Sequence, residues 1–549
     1  MVKKLLLTSQ AIFGRQQSSI LSAAMVITVT SLVSAVLGLF KNRLLITYFF
    51  GLAGGRQELD AYWVAFRLPE LVFQLLVIGS LSAAFIPVYA RCLKKGREEA
   101  SLVASSVMNI VLLGFAVASI VIFVFANQFI QLITSTKNFS MEQVILAAQL
   151  TKIMLLAQFF FAVSNFLTGM IQAEQRFLVP ALSPAVYNLG IIIGIVGLTP
   201  LLGIYGPAVG VVIGALMHLV MQIPLVWHLG YRYQPAIQLK LSGVGEMLRL
   251  MPPRIFAISV NQIELFATVF FATALPAGSL TIMNIATQLI SAPIRVFSIP
   301  IGQASLPFLS QTVAEKAFLA YKKTLIQSLH QILFLALPAG MLLLILRIPL
   351  VRLVYGAAEF PWSATLLTGR VVALLSVSLF AQAAIQLLNR GYYALHNTKL
   401  PLWIALIAVI INISVAFLSV FVYEWGVLGL AAGISLASLV QMGLLLFFLL
   451  PYLGRGRDLW WEPVKMMLAT AVMGLCLWAP LRLLDRYVFD TTRVIPLVGL
   501  TLVVSLIGGV VYLGLAWGLN IPELRAFGHL LGRLGNWRQV LKQTEEVLE

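Results

Sequence analysis

Long apolar stretches recur along the whole chain, each ended by a short segment that holds charged residues, glycine or proline. A run of about twenty apolar residues is long enough to cross roughly 30 Å of hydrocarbon as a helix. We therefore predict an all-α integral membrane protein with about fourteen transmembrane helices. The predicted spans are 20–40, 61–90, 101–126, 143–171, 178–198, 207–227, 250–275, 281–312, 325–349, 366–394, 402–423, 427–450, 464–484 and 494–518.

The composition agrees with this pattern and excludes a separate soluble domain. Of the 549 residues, 60% are hydrophobic and 10% are charged, whereas a soluble domain averages about 25% charged residues. Two isolated cysteines, Cys92 and Cys476, support neither a disulfide framework nor a zinc site. The basic N-terminal segment leads into the first apolar stretch without an A-x-A cleavage signal, which favours an uncleaved first helix.

The net charge of +17 invites a nucleic-acid hypothesis, but the distribution of the basic residues favours a different interpretation. They concentrate in alternate connections between spans, which is the positive-inside pattern of membrane proteins. With an even number of spans, this pattern predicts both termini in the cytoplasm and no nucleic-acid partner. The exceptions are six cations predicted to face outwards: Lys41, Arg43, Arg56, Arg482, Arg486 and Arg493.

An internal repeat divides the chain. The pattern G-x-x-G-x-A-x-G begins at Gly203 and again at Gly426, an offset of 223 positions (426 − 203). Segments 169–180 and 391–401 form a second pair at offsets of 222 and 221. We predict two parallel six-helix repeats, as in many transporters, with small residues that let helices approach closely. The predicted parts are an N-lobe (1–228), a C-lobe (229–452), two extra helices (453–519) and a cytoplasmic amphipathic tail (520–549).

Several motifs in the same order resemble the MurJ (MviN) family of lipid II flippases, within the multidrug/oligosaccharidyl-lipid/polysaccharide exporter superfamily. The most specific are LDAYWVAFRLPELV at 59–72 and GSLSAAFIPVYA at 79–90. Others are SAVLGLFKN at 34–42, QRFLVPALSPAVYN at 175–188 and IGQASLPFLS at 301–310. The similarity extends over about 34–450. On these motifs, the chain resembles a divergent member of that family.

The resemblance implies fourteen helices, two lobes around a central cationic cavity, and a groove shaped by the last two spans. It implies that lipid II, the lipid-linked peptidoglycan precursor, moves from the cytoplasmic to the periplasmic leaflet of the bacterial inner membrane by alternating access. It also implies no bound cofactor, with membrane potential or coupling to Na⁺ or H⁺ as the driving force. The expected partners are the lipid-linked glycan, membrane lipids and cell-wall synthesis enzymes.

The arginines that the family uses to pair with the substrate pyrophosphate are partly replaced here. Ala35 and Lys41 stand at the two arginines of the first-span motif, and Gln288 stands at the eighth-span arginine. Charges inside spans are functional candidates because they are expensive in lipid, although Arg67 and Glu70 are spaced to neutralise each other. The predicted substrate-binding residues are Lys41, Arg67, Arg254, Gln288 and Arg295.

A cation site is predicted from the seventh and eleventh spans. Glu264 is the acid of the seventh span, Thr268 follows one helical turn later, and Asn412 lies in the eleventh span. Some members of the resembled family hold sodium on these two helices, and oxygen ligands suit a hard cation. A proton-titrating Glu264 and a simply hydrogen-bonded Glu264 remain open alternatives.

No sequence feature indicates an enzyme. The chain has no G-x-x-x-x-G-K-[ST] motif for nucleotide binding and no H-E-x-x-H motif. We therefore predict a secondary-type transporter. Two alternatives to a lipid II flippase stay open: a flippase or exporter of another lipid-linked oligosaccharide or amphiphile, and a non-transporting membrane scaffold for cell-wall synthesis.

Overall fold

The structure is a computed structural model that describes residues 20–78, 85–356, 359–454, 456–491 and 493–525. The described chain consists of helices and the connections between them and contains no strand. Among the described residues, twelve helices are long and apolar enough to cross a membrane, and one bent helix pair raises this number to thirteen. The helix that corresponds to the predicted seventh span carries a shorter apolar stretch, Ile258–Thr273. The all-α membrane fold that the apolar pattern predicts is thus confirmed.

The helices that correspond to the fourteen predicted spans are named here as spans, in chain order. The first seven are Ile20–Phe49, Gly55–Ile78, Arg97–Val124, Met141–Ala173, Leu178–Leu202, Tyr205–His228 and Ser242–Thr273. The last seven are Ser279–Ala314, Phe318–Ile345, Trp362–Ala394, Lys399–Val422, Val427–Leu453, Arg457–Tyr487 and Val494–Gly518. Three short helices, Ile86–Lys95, Ala126–Ile133 and Arg347–Tyr355, lie between spans.

Local signals in the sequence determine several helix ends. The fourth span begins with a capping box, in which the Gln143 backbone N–H donates to the Ser140 hydroxyl over 3.3 Å and the Ser140 N–H donates to the Gln143 side chain over 3.0 Å. This exchange satisfies two backbone donors that the first turn of a helix leaves without partners. After this span the chain turns through Gln175, at φ +59°.

Three spans differ from the prediction in ways that matter here. The first span, predicted as 20–40, extends to Phe49, so Lys41 and Arg43 lie within it and not in the connection that follows. The predicted second span, 61–90, corresponds to a helix that starts earlier, at Gly55, and is described as far as Ile78. Residues 79–84 lie outside the described part of the chain, and Ile86–Lys95 is helical beyond them. The tenth span bends by 44° between Val377 and Leu379. At the bend, the Ser378 hydroxyl lies 3.1 Å from the Leu375 carbonyl oxygen. A side-chain bond of this kind competes with the regular backbone ladder and bends helices.

The glycine pattern has the packing role predicted for it. A Cβ placed on Gly194 or Gly190 would clash with the backbone of Gly210 or Gly214, so the fifth and sixth spans touch backbone to backbone. In the twelfth span, a Cβ on Gly433 would lie 2.8 Å from the Asn412 side-chain oxygen of the eleventh span. Small residues permit this approach, which membrane helices use because hydrophobic burial alone does not hold them together in lipid.

The two sequence repeats share unusual backbone conformations. Gly203 and Gly426 both have positive φ, +56° and +62°, and so do Gln175 and His396, at +59° and +57°. Single π-helical turns also recur in corresponding places: Phe73–Ile78 matches Ile294–Ser298 at an offset of 221 (294 − 73), and Gly194–Leu198 matches Leu418–Val422 at an offset of 224 (418 − 194). The duplication therefore extends to details of helix geometry.

The chain forms two compact units. The first unit consists of residues within 1–281 and 357–360 and contains the first seven spans. The second unit consists of residues within 282–356 and 361–549. The predicted lobe boundaries at 228 and 452 follow the sequence repeat and stay predictions. Most of the predicted amphipathic tail, 520–549, lies outside the described residues, which end at Arg525.

Candidate transport sites

Lys41 lies in the first span, on a helix that packs against the fifth span. The Asn188 side-chain amide donates to the Ser34 carbonyl oxygen over 3.1 Å, and Gly38 faces the same side chain. Lys41 is half-buried, and the next residue, Asn42, is fully buried. Among the described residues, no carboxylate lies within 4.0 Å of the Lys41 ammonium group. Its charge is thus available to an anionic ligand.

Arg67 lies beside Glu70 in the second span, as their spacing predicts. An Arg67 guanidinium nitrogen is 4.0 Å from a Glu70 carboxylate oxygen, and the two side chains are 15% and 38% exposed. The preceding turns carry an aromatic cluster in which the rings of Tyr62 and Phe66 meet edge to face at 5.1 Å. Arg67 is therefore a partly neutralised cation among aromatic side chains.

The seventh span carries three of the predicted residues. The Thr268 hydroxyl donates to the backbone carbonyl of Glu264 over 2.9 Å, which places the two residues one turn apart on one face, as predicted. This bond uses the hydroxyl hydrogen and leaves the Thr268 oxygen able to accept or to coordinate. The Glu264 side chain is half-buried. The side chain of Arg254 lies outside the described residues.

The remaining three predicted residues belong to the second unit. Gln288 is half-buried in the eighth span, and Arg295 is exposed in the π-helical turn Ile294–Ser298. Asn412 is buried, with its side-chain oxygen close to Gly433 of the twelfth span. In the described part of the chain, no three His, Cys, Asp or Glu side chains cluster as a metal site. The cation site of Glu264, Thr268 and Asn412 draws on both units and stays a prediction.

A buried carboxylate that the sequence analysis did not single out is Asp60, in the second span. Its two oxygens accept from the Gly278 N–H over 2.7 Å, the Thr281 N–H over 2.9 Å and the Thr281 hydroxyl over 2.7 Å. The side chain is 3% exposed. An ionised carboxylate is tolerated in such a place only when its oxygens are satisfied. The signal that could have found it is an acid directly before the apolar run AYWVAF.

A second missed feature is a buried polar network between the fourth and sixth spans. The Ser164 hydroxyl lies 2.6 Å from His218 Nδ1, and the Gln222 amide donates to the Ser164 hydroxyl over 2.8 Å. The Thr168 hydroxyl donates to the Gln222 side-chain oxygen over 2.8 Å. Both helices contribute residues four positions apart, which places each pair on one helix face. This spacing is visible in the sequence, but the pairing of the two helices is not.

Comparison with known proteins finds the same family over most of the chain. A family model described as "Lipid II flippase MurJ" matches residues 46–495. A probable lipid II flippase MurJ of Bdellovibrio bacteriovorus is 27% identical over 519 residues, covering 92% of this chain and 96% of the relative. The lipid II flippase MurJ of Burkholderia cenocepacia is 27% identical over 391 residues, covering 70% of this chain and 75% of the relative.

Solved structures show a matching fold. A lipid II flippase MurJ in an inward closed conformation matches with a TM-score of 0.73 and 25% identity, covering 90% of this chain and 98% of that protein. An inward-facing multidrug resistance transporter of the MATE family matches with a TM-score of 0.62 over 76% of this chain and 94% of that protein. At 14% identity, the second match concerns the fold alone.

Proposed function

This chain belongs to the lipid II flippase MurJ family, and on that premise we propose that it moves lipid II from the cytoplasmic to the periplasmic leaflet of a bacterial inner membrane. The observation that carries the proposal is the family match over 46–495, which runs from the first span to the start of the fourteenth span. The relatives and the matching fold do not favour an exporter of a different amphiphile or a scaffold that transports nothing.

The substrate makes a specific chemical demand on the protein. A diphosphate-linked lipid is amphipathic, and its charged group can cross the hydrocarbon layer only when cations and hydrogen-bond donors replace its water. Arginine binds phosphate through two parallel N–H bonds, and lysine binds it as a compact charge. The protein must therefore present positive charge inside its spans.

We propose that Lys41 is the phosphate contact contributed by the first unit. Arg67 already has a carboxylate 4.0 Å away, whereas Lys41 is half-buried and makes no ion pair among the described residues. Its position in the first-span motif agrees with this role. The exposed guanidinium of Arg295 is proposed as a second contact, from the other unit.

Transport is proposed to proceed by alternating access, with ion coupling or membrane potential as the driving force. Glu264, Thr268 and Asn412 are the proposed oxygen ligands for a coupling cation, because carboxylate, hydroxyl and amide oxygens suit sodium and protonation of Glu264 would serve a proton. The charge distribution of the connections supports a topology with both termini in the cytoplasm. Cell-wall synthesis enzymes, which consume the flipped lipid, are the proposed protein partners.

Replacement of Lys41 tests the substrate assignment. We expect Lys41→Ala to abolish lipid II flipping in proteoliposomes that hold the purified chain, and Lys41→Arg to keep part of it, since the positive charge remains. Lys152→Ala is the matched control: this lysine also lies in a span, but its ammonium group sits 5.0 Å from the Phe123 ring centroid. Wild-type flipping by Lys41→Ala would remove Lys41 from the substrate site.

A further inference from the structure

A cavity of about 330 Å³ lies within the second unit, where four pieces of chain meet. The short helix Arg347–Tyr355 forms one side, and the start of the tenth span contributes Trp362. The end of the thirteenth span and the start of the fourteenth span complete the lining. This is within the usual size range of small-molecule sites.

Three arginines face this cavity: Arg347, Arg352 and Arg482. Arg482 lies over the Trp478 ring at 4.5 Å from guanidinium carbon to ring centroid, and Arg352 lies 5.7 Å from the Trp362 centroid. Stacking on an aromatic face orients a guanidinium group and leaves its in-plane N–H donors free for an acceptor.

The third arginine is held by the backbone. One Arg347 guanidinium nitrogen donates to the Leu344 carbonyl oxygen over 2.7 Å, which uses one of five N–H donors. The acidic group of the lining is Asp485, and among the described residues no carboxylate lies within 4.0 Å of any of the three guanidinium groups. Three positive charges against one negative charge make this a cavity for an anion.

The rest of the lining is apolar and indicates that the anion belongs to a lipid. Leu497 and Leu500 line the cavity and are buried, at 4% and 1% exposed. Trp362 and Trp478 are each 56% exposed beside the cavity. Tryptophan with one exposed face is typical of the level of the lipid headgroups in membrane proteins. A ligand with a charged head and an apolar body matches this surface better than a free ion.

We propose that this cavity binds the phosphate group of an anionic lipid headgroup, in the leaflet that faces the connection between the thirteenth and fourteenth spans. The cavity is built by the second unit alone and is separate from Lys41 and the seventh span, so the proposal does not depend on which substrate is flipped. It also explains a departure from the positive-inside pattern. Arg482 lies near the end of the thirteenth span, next to a connection predicted to face outwards, where arginine is unusual, and a lipid phosphate gives it a counter-charge.

The test measures lipid retention by the purified full-length chain. Native mass spectrometry would follow the titration of phosphatidylglycerol and, separately, of net-neutral phosphatidylcholine. We expect the wild type to retain phosphatidylglycerol preferentially. Arg482→Gln should weaken retention about tenfold, the loss of one charge-assisted hydrogen bond, and Arg482→Lys should restore part of it. Asp485→Asn should strengthen retention, because the acid opposes the phosphate.

Arg486→Gln is the matched control. This exposed arginine lies one turn after Arg482, stacks on the ring of the adjacent Tyr487 and does not line the cavity. It should bind phosphatidylglycerol as the wild type does. Equal retention of both lipids, or wild-type retention by Arg482→Gln and Arg352→Gln, would overturn the proposal. Equilibrium dialysis with inorganic phosphate separates the two sources: arginine-dependent phosphate binding without phosphatidylglycerol selectivity would replace the lipid with a free ion and also overturn it.

Discussion

The buried carboxylate of Asp60 supports a quantitative prediction about stability. It accepts three hydrogen bonds, two from the backbone N–H groups of Gly278 and Thr281 and one from the Thr281 hydroxyl. In Asp60→Ala the hydroxyl can turn to another acceptor, but the two N–H groups cannot. A buried donor without an acceptor costs about 1–3 kcal/mol, so we expect Asp60→Ala to lower the free energy of unfolding by about 2–6 kcal/mol.

Asp60→Asn separates hydrogen bonding from side-chain volume. Its remaining oxygen can still accept from Thr281, while its amide group faces the Gly278 N–H and leaves that one donor unsatisfied, a loss of about 1–3 kcal/mol. The control is Glu58→Ala, two residues earlier and half-buried. Thermal unfolding of the detergent-solubilised protein should place Tm in the order wild type, Asp60→Asn, Asp60→Ala, with Glu58→Ala close to the wild type. A wild-type Tm for Asp60→Ala would refute the reasoning.

Three further predictions concern packing, coupling and thiol chemistry. Gly210→Val should lower Tm by forcing the fifth and sixth spans apart, while Gly197→Ala, with no heavy atom within 4 Å of the added carbon, should not; equal Tm values would contradict the backbone contact. Glu264→Gln should remove the dependence of flipping on an imposed Na⁺ or H⁺ gradient in sealed vesicles, and ion-independent transport by the wild type would count against the cation site. Burial raises the pKa of the Cys92 thiol. In Cys476→Ser protein, the maleimide labelling rate of Cys92 should therefore be slow at neutral pH and should rise only at a pH higher than that at which a free cysteine ionises. Rapid labelling at pH 7 would argue against burial.

Features that depend on neighbouring residues in the chain were predictable from the sequence. Apolar stretches predict spans because the hydrocarbon layer demands a long apolar helix, and the structure supplies helices for all the predicted spans. The glycine pattern at Gly203 and Gly426 predicts close helix packing, which the structure shows. It also predicts a duplication, and the positive φ of both glycines agrees with that prediction. Each of these signals is contained in a few adjacent turns.

Features that depend on distant partners were not predictable. Asp60 is satisfied by Gly278 and Thr281, more than two hundred positions away (278 − 60 = 218). The bend at Ser378 involves Ser435 of the twelfth span, whose hydroxyl donates to the Leu374 carbonyl oxygen over 2.8 Å. No local pattern specifies which helices meet, so sequence reasoning finds the groups without their partners.

The cavity lined by Arg347, Arg352 and Arg482 also depends on partners that are distant in the sequence. The sequence marks Arg482 as an exception to the positive-inside pattern, but it does not show that Arg347 and Arg352 face the same space. The proposed transport residues show the same limit, because the sequence marks both Lys41 and Arg67 as candidate substrate contacts. Only the structure separates them, by the carboxylate 4.0 Å from Arg67.

The most direct test of the central claim is the amount of lipid II that reaches the outer leaflet in a bacterium depleted of its own lipid II flippase and expressing this chain. We expect the wild type and Lys152→Ala to restore outward lipid II and growth, and Lys41→Ala to insert normally without restoring either. A wild-type chain that inserts fully into the membrane and leaves lipid II on the cytoplasmic side would contradict the proposed function.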